Sequence, residues 1–140
     1  MAERNHWLFK QEPESFGWKH LVADGSTWWD GVENALACKH LQAIRPHDLI
    51  FLYHTGKEKA VVGEMRALSG PAVPPKALAG SKPTVEVAPI RLLPRPVPLA
   101  EIKADPLLAG WDLVRLPRLS VLPVSPEQWN RIWELANSNG

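Results

Sequence analysis

Asp48-Leu49-Ile50-Phe51-Leu52-Tyr53-His54 is a near-continuous apolar run of strand length. The polar link Thr55-Gly56-Lys57-Glu58-Lys59 separates it from a second run, Ala60-Val61-Val62-Gly63-Glu64-Met65-Arg66-Ala67-Leu68. A strand covered on both faces is apolar at successive positions, whereas a half-exposed one alternates. The first run therefore reads as a central strand, and the short link makes the two a hairpin.

Working outward, His6-Trp7-Leu8-Phe9 reads as the first strand. Glu12-Pro13 ends it, because the residue before proline is pushed out of the α region. Ser15 then caps a short helix over 15–22, stopped at Asp24-Gly25. A second helix over 34–44 carries Leu36, Ala37, Leu41 and Ile44 at helical spacing, and Pro46 ends it. Residues 70–83 are rich in Pro, Gly and Ala and read as loop. A further strand covers 84–93, where Pro89 forces a bulge or an edge position. Pro94-Arg95-Pro96-Val97-Pro98 fits neither a helix nor a central strand. Short helical pieces follow at 99–104 and from Asp105-Pro106, then a late strand over 119–123.

The last element has the clearest signal. Ser125-Pro126-Glu127-Gln128 offers an N-cap serine, proline at the first helical position and glutamine at N3, a capping box. Trp129, Ile132, Trp133 and Ala136 then share one helical face, which reads as a helix docked on the sheet. Five or six short strands with peripheral helices give an α+β fold, a curled sheet or small barrel, as one domain over 1–140.

Charge narrows the function. The net charge is +1, which argues against a non-specific polyanion binder but allows one base with a few phosphate contacts. One cysteine, Cys38, excludes an internal disulfide and any multi-cysteine zinc site. No run approaches the ~20 apolar residues of a membrane span. Residues 1–6 lack a signal-peptide pattern. These features imply a cytoplasmic protein with no membrane partner, and they leave a weak homo-oligomer open.

Seven tryptophans in 140 residues is the strongest compositional feature. Two of them are adjacent, in Ser26-Thr27-Trp28-Trp29-Asp30-Gly31-Val32. Neighbouring side chains of an extended chain face opposite ways, so one ring packs inward while the other meets a cleft. Trp29 is read as the surface on which a nucleobase stacks, against the alternative that it is a core anchor.

Taken in order, these segments resemble the EVE-domain family. Trp7-Leu8-Phe9-Lys10-Gln11-Glu12-Pro13 resembles its opening motif, and Trp29-Asp30-Gly31-Val32-Glu33-Asn34 its Trp-x-Gly-Val-Arg-Asn. Leu52-Tyr53-His54-Thr55 is similar to its Phe-Tyr-His-Ser, Val61-Val62-Gly63 to Ile-Val-Gly, Val85-Glu86-Val87 to Val-Asp-Val, and Arg118-Leu119-Ser120-Val121 to Arg-Leu-Ser-Val. The resemblance implies a PUA-like mixed β-barrel with peripheral helices, kinship with YTH domains, and a reader of modified bases in DNA or RNA. By position, Trp29 would be the cage wall. Lys10 and Gln11 would line the rim, with Asn34, Tyr53, His54 and Thr55 nearby. Departures are visible: Gln11 stands for Ser, Glu33 for Arg, and Lys82 where many members have a second cage Trp. Lys82 and Arg118 are the candidate phosphate contacts.

Base-edge hydrogen bonds would fall to Gln11 and Asn34, whose amides offer donor and acceptor. Arg118 has a second reading, as a tie for the Pro-rich segment. Enzyme readings are thin. Cys38 with His54 would make a thiol–imidazole pair, but Cys38 lies in a helix without an activating motif. The five histidines lack metal-ligand spacing and there is no Gly-rich phosphate loop. The expectation is a non-catalytic nucleic-acid module with no metal and no cofactor. The alternatives are a pocket for a small planar metabolite such as a nucleoside, or a protein-interaction module using the prolines between Pro71 and Pro98.

Overall fold

The computed structural model describes residues 5–75 and 82–138. The elements run β1 (His6–Gln11), α1 (Pro13–Phe16), α2 (Trp18–Asp24), β2 (Thr27–Trp28), α3 (Ala35–Ala43), β3 (Leu49–His54), β4 (Ala60–Ala67), β5 (Glu86–Pro98), α4 (Leu99–Ala104), α5 (Asp112–Arg115), β6 (Val121–Val124) and α6 (Pro126–Ala136). The strands form one mixed sheet in the order β2-β5-β4-β3-β1-β6, curled as a half-barrel. The fold class is α+β, as the sequence predicts.

β3 is central. It pairs parallel with β1, Trp7 opposite Ile50, and antiparallel with β4, Ile50 opposite Met65. The parallel pair is possible because the chain between them holds α1, α2, β2 and α3 as a crossover. The 55–59 link closes the β3–β4 hairpin as expected. At the start of β3, Asp48 is 3% exposed and its carboxylate accepts three N–H groups. These come from the indole of Trp7 at 3.0 Å, the backbone of Arg45 at 2.9 Å and the backbone of Asn5 at 3.2 Å. A buried carboxylate is tolerated only with such partners.

α6 forms as its cap predicts. Ser125 Oγ accepts from Gln128 N at 3.1 Å, and Gln128 Oε1 accepts from Ser125 N at 2.9 Å. The Trp129 ring stacks on Phe51 at 3.7 Å and 16°. Arg91 lies over the Trp133 ring at 4.4 Å while its Nε donates to buried Glu64 at 3.0 Å. The tryptophan stripe is thus the seam that fixes α6 to the sheet. Burying a large apolar side chain of this kind stabilises by about 1.5–3 kcal/mol.

Four expectations need correction. The helix expected over 15–22 is two helices broken at Gly17, and Ser15 lies inside the first, capping nothing. The strand after the loop continues through Pro98 rather than stopping before Pro94. There it pairs only with β4, Val97 opposite Val61, because β2 reaches just Glu86 and Val87. The prolines therefore sit on an edge that asks for no donor. Pro89 does mark a register shift, opposite Met65. The two-residue strand β2 was not anticipated. Finally, Asp105 opens a turn, its Oδ1 accepting from Leu107 N at 2.9 Å, and the helix begins at Asp112. The loop expected over 70–83 lies partly outside the described residues.

Candidate functional site

β2 puts the tryptophan pair at the end of the sheet. Trp28 pairs with Glu86, and Trp29 N donates to Val85 O at 2.9 Å. The hydroxyl of Thr84 donates to the carbonyl of Trp29. This clamp holds the two rings in opposite roles. Trp29 is 4% exposed, with Phe9 at 5.0 Å and Phe16 edge-on at 6.3 Å. Trp28 is half-buried. The sequence assigned the stacking surface to Trp29; the structure makes that ring a core anchor whose margin reaches the surface, and Trp28 the more open indole. The inward-and-outward division holds, with the more exposed ring on the other residue.

Both rings border an open cleft of about 1370 Å³ between β2, α3 and the segment through Pro83. Among the described residues its charged groups are Asp24, Asp30, Glu33 and Lys82, three carboxylates against one ammonium. Cys38 also lines it, but its thiol donates to Val32 O at 3.2 Å. Gln42 Nε2 donates to Pro83 O at 3.3 Å and ties the α3 wall to the opposite one.

The other predicted residues divide by sheet face. Side chains alternate along β1, and Phe51, opposite Leu8, points to α6. Lys10 and its partner Tyr53 share that α6 face; Phe9, Gln11 and His54 face the α3 side with Trp29. Lys10 is not a free rim charge. Its Nζ donates to Pro117 O at 2.9 Å and lies 5.8 Å from the Tyr53 ring. Burial holds its ammonium below the usual lysine value. Gln11 Oε1 accepts from Glu12 N at 3.0 Å, and Asn34 Oδ1 accepts from Ala37 N at 3.0 Å as the N-cap of α3. Each amide therefore has its NH₂ left, so both present donors rather than donor–acceptor pairs. Thr55 donates to Glu12 Oε2 at 3.2 Å.

His54 uses both ring nitrogens within the protein. Nε2 accepts from Trp18 N at 3.2 Å, so Nδ1 carries the proton that meets Glu58 Oε1 at 2.5 Å. Neither it nor Cys38 is paired with the other. Arg118 and Lys82 are exposed and form no side-chain hydrogen bond or ion pair among the described residues. The tie on the Pro-rich segment is Arg95 instead. Its guanidinium meets Glu101 at 2.9 Å and 2.5 Å and Leu135 O at 3.0 Å. No group of three His, Cys, Asp or Glu suited to a metal occurs among the described residues.

Tyr53 gives a direct test of this geometry. Burial pushes its phenol up to about 12 from 10.0, since the charged form is the one that loses water. Tyr53 is the only tyrosine, so phenolate absorption reports it alone. The unfolded chain releases this proton near 10.0 and the folded protein only at about 12. Between those values the folded state binds more protons, so this group's contribution to stability is lost as pH rises through that window. Lys10, shifted downward by burial, contributes with the opposite sign, which the phenolate signal does not sense. A phenolate midpoint near 10.0 in the folded protein would contradict the buried placement.

Comparison with known proteins bears on this arrangement. The family model for the EVE domain matches residues 5–135. Mouse thymocyte nuclear protein 1 is 29% identical over 165 residues, covering 94% of this chain and 73% of that protein. A protein of Agrobacterium tumefaciens with a solved structure is 31% identical, with a TM-score of 0.90 and coverage of 95% and 93%. The human THYN1 protein, crystallised in complex with 5-methylcytosine containing DNA, is 26% identical, with a TM-score of 0.85 and coverage of 97% and 99%.

Proposed function

The chain belongs to the EVE domain family, and from that premise we propose that it is a non-catalytic nucleic-acid-binding module that takes a modified base into the cleft beside Trp28. The observation that carries this reading is the likeness, over 97% of the chain, to a human protein crystallised with 5-methylcytosine containing DNA. The half-buried indole of Trp28 supplies a stacking plane at the cleft, and Trp29 braces the wall from inside. Lys82 at the rim meets phosphate, and Arg118 contacts the backbone farther along. Asn34, next in the chain to the cleft-lining Glu33, keeps an NH₂ for a base acceptor, while Gln11 is not among the residues that line the cleft. The carboxylates of Asp30 and Glu33 favour a base with an exocyclic amine.

Stacking on one aromatic ring is worth about 1–3 kcal/mol per base. Trp28→Ala is therefore expected to weaken binding of a 5-methylcytosine oligonucleotide roughly five- to 150-fold. Fluorescence anisotropy measures this, with thermal melting to show an intact fold. An unchanged affinity would remove Trp28 from the interface.

The acidic lining supports a second reading, a site for a free nucleoside. Salt separates the two. A polynucleotide that releases counterions loses affinity steeply as salt rises, and a neutral nucleoside does not. With Lys82 the one ammonium at the cleft among the described residues, the expected slope is shallow but present.

A further inference from the structure

A second hollow, about 510 Å³, opens between the α1–α2 corner and β5. That volume is in the range of small-molecule sites. Its apolar lining includes Trp18, Val62, Leu92 and Pro96, and Leu92 is 54% exposed. Trp18 is held before anything binds. Its ring lies flat on Gly63, where a Cβ would come within 2.4 Å of the indole. Its backbone N–H is fixed by His54, which Glu58 fixes in turn. A wall ordered in advance avoids the cost of ordering on binding.

The polar groups set the sign of the ligand. Among the described residues, Glu14 and Glu58 stand at the hollow against Lys19 alone. Glu58 commits one oxygen to His54 and keeps the other. His20 Nδ1 accepts from Gly17 N at 2.8 Å and His54 has no nitrogen left, so neither ring offers an anion a cationic pair of donors. A cation gains from both carboxylates and from the face of an indole.

We propose that this hollow binds an organic amine with a flat apolar body, the body lying on Trp18 and Leu92 and the ammonium meeting Glu14 and Glu58. The site is separate from the Trp28 cleft, shares no lining residue with it, and does not depend on nucleic-acid binding.

Three probes with one ring and different charge test it: tryptamine, indole and indole-3-acetate. Each is titrated into the isotope-labelled protein, and the Trp18 indole N–H signal is identified by its loss in Trp18→Phe. Tryptamine should shift Trp18 and the Leu92 methyls at the lowest concentration, indole at a higher one, and indole-3-acetate last. Glu14→Gln, at an exposed position, should weaken tryptamine about two- to fivefold, the size of one part-exposed charge contact, and leave indole unchanged. Leu92→Arg should abolish all three responses with the remaining spectrum intact. Equal binding of the acetate and the amine would overturn the charge assignment. A response at Trp28 in place of Trp18, or none at millimolar probe, would overturn the site.

Discussion

Trp29→Ala is expected to destabilise the protein by about 3–5 kcal/mol, the cost of truncating a large core aromatic. The ring is 4% exposed and wedged against Phe9 and Phe16, so its removal leaves a void that the clamped backbone cannot close. Thr84 and Val85 hold residue 29 on both sides. Urea unfolding with an unchanged denaturant slope measures the loss. Trp28→Ala, by comparison, should cost clearly less than Trp29→Ala, because its ring is only half-buried and sits on the two-residue edge strand β2. The two neighbours thus separate stability from binding. A drop in oligonucleotide affinity for Trp29→Ala says little unless the variant is shown to be folded. The same drop for Trp28→Ala reports contact. Should Trp29→Ala unfold within about 1 kcal/mol of the parent, the ring is not packed as described.

That division shows where sequence reasoning reaches and where it stops. The β3–β4 hairpin was legible because five successive apolar residues, Leu49 to Tyr53, have no other use than a strand covered on both sides. α6 was legible because its cap, its first proline and its tryptophan spacing agree. The tryptophan pair was legible as an inward and an outward ring, but not which was which. Alternation fixes relative direction, and only the pairing of Trp28 with Glu86 fixes the absolute one. β2 itself escaped notice since two residues carry no period. Lys10 was misplaced for a similar reason: its motif says that it is near the site, while the β1–β3 register turns it to the α6 face and onto Pro117. The broken helix at Gly17 and the hollow beside it depend on contacts between Trp18, His54 and Gly63 that are far apart in the chain. No local pattern encodes such a meeting.

Gly63 makes that meeting measurable. A β-strand interior ordinarily gains from Gly→Ala, since glycine brings extra unfolded-state entropy and packs nothing. Here the sign should reverse. A Cβ at residue 63 would lie 2.4 Å and 2.6 Å from two ring carbons of Trp18. The ring cannot slide freely, because its residue is tied through its N–H to His54. The strand cannot shift either, since Gly63 is opposite Leu52 on one side and Leu92 on the other. Overpacking of this kind costs about 1–3 kcal/mol and occasionally more, and the upper end is expected. The diagnostic is the double-mutant cycle. In a Trp18→Ala background the clash is gone, so Gly63→Ala should cost less than about 1 kcal/mol or even stabilise, giving a coupling of roughly 2 kcal/mol or more. Equal costs in the two backgrounds would mean that the ring does not rest on Gly63. The wall of the second hollow would then lose its support, while the Trp28 cleft, which contains neither residue, would stand unaffected.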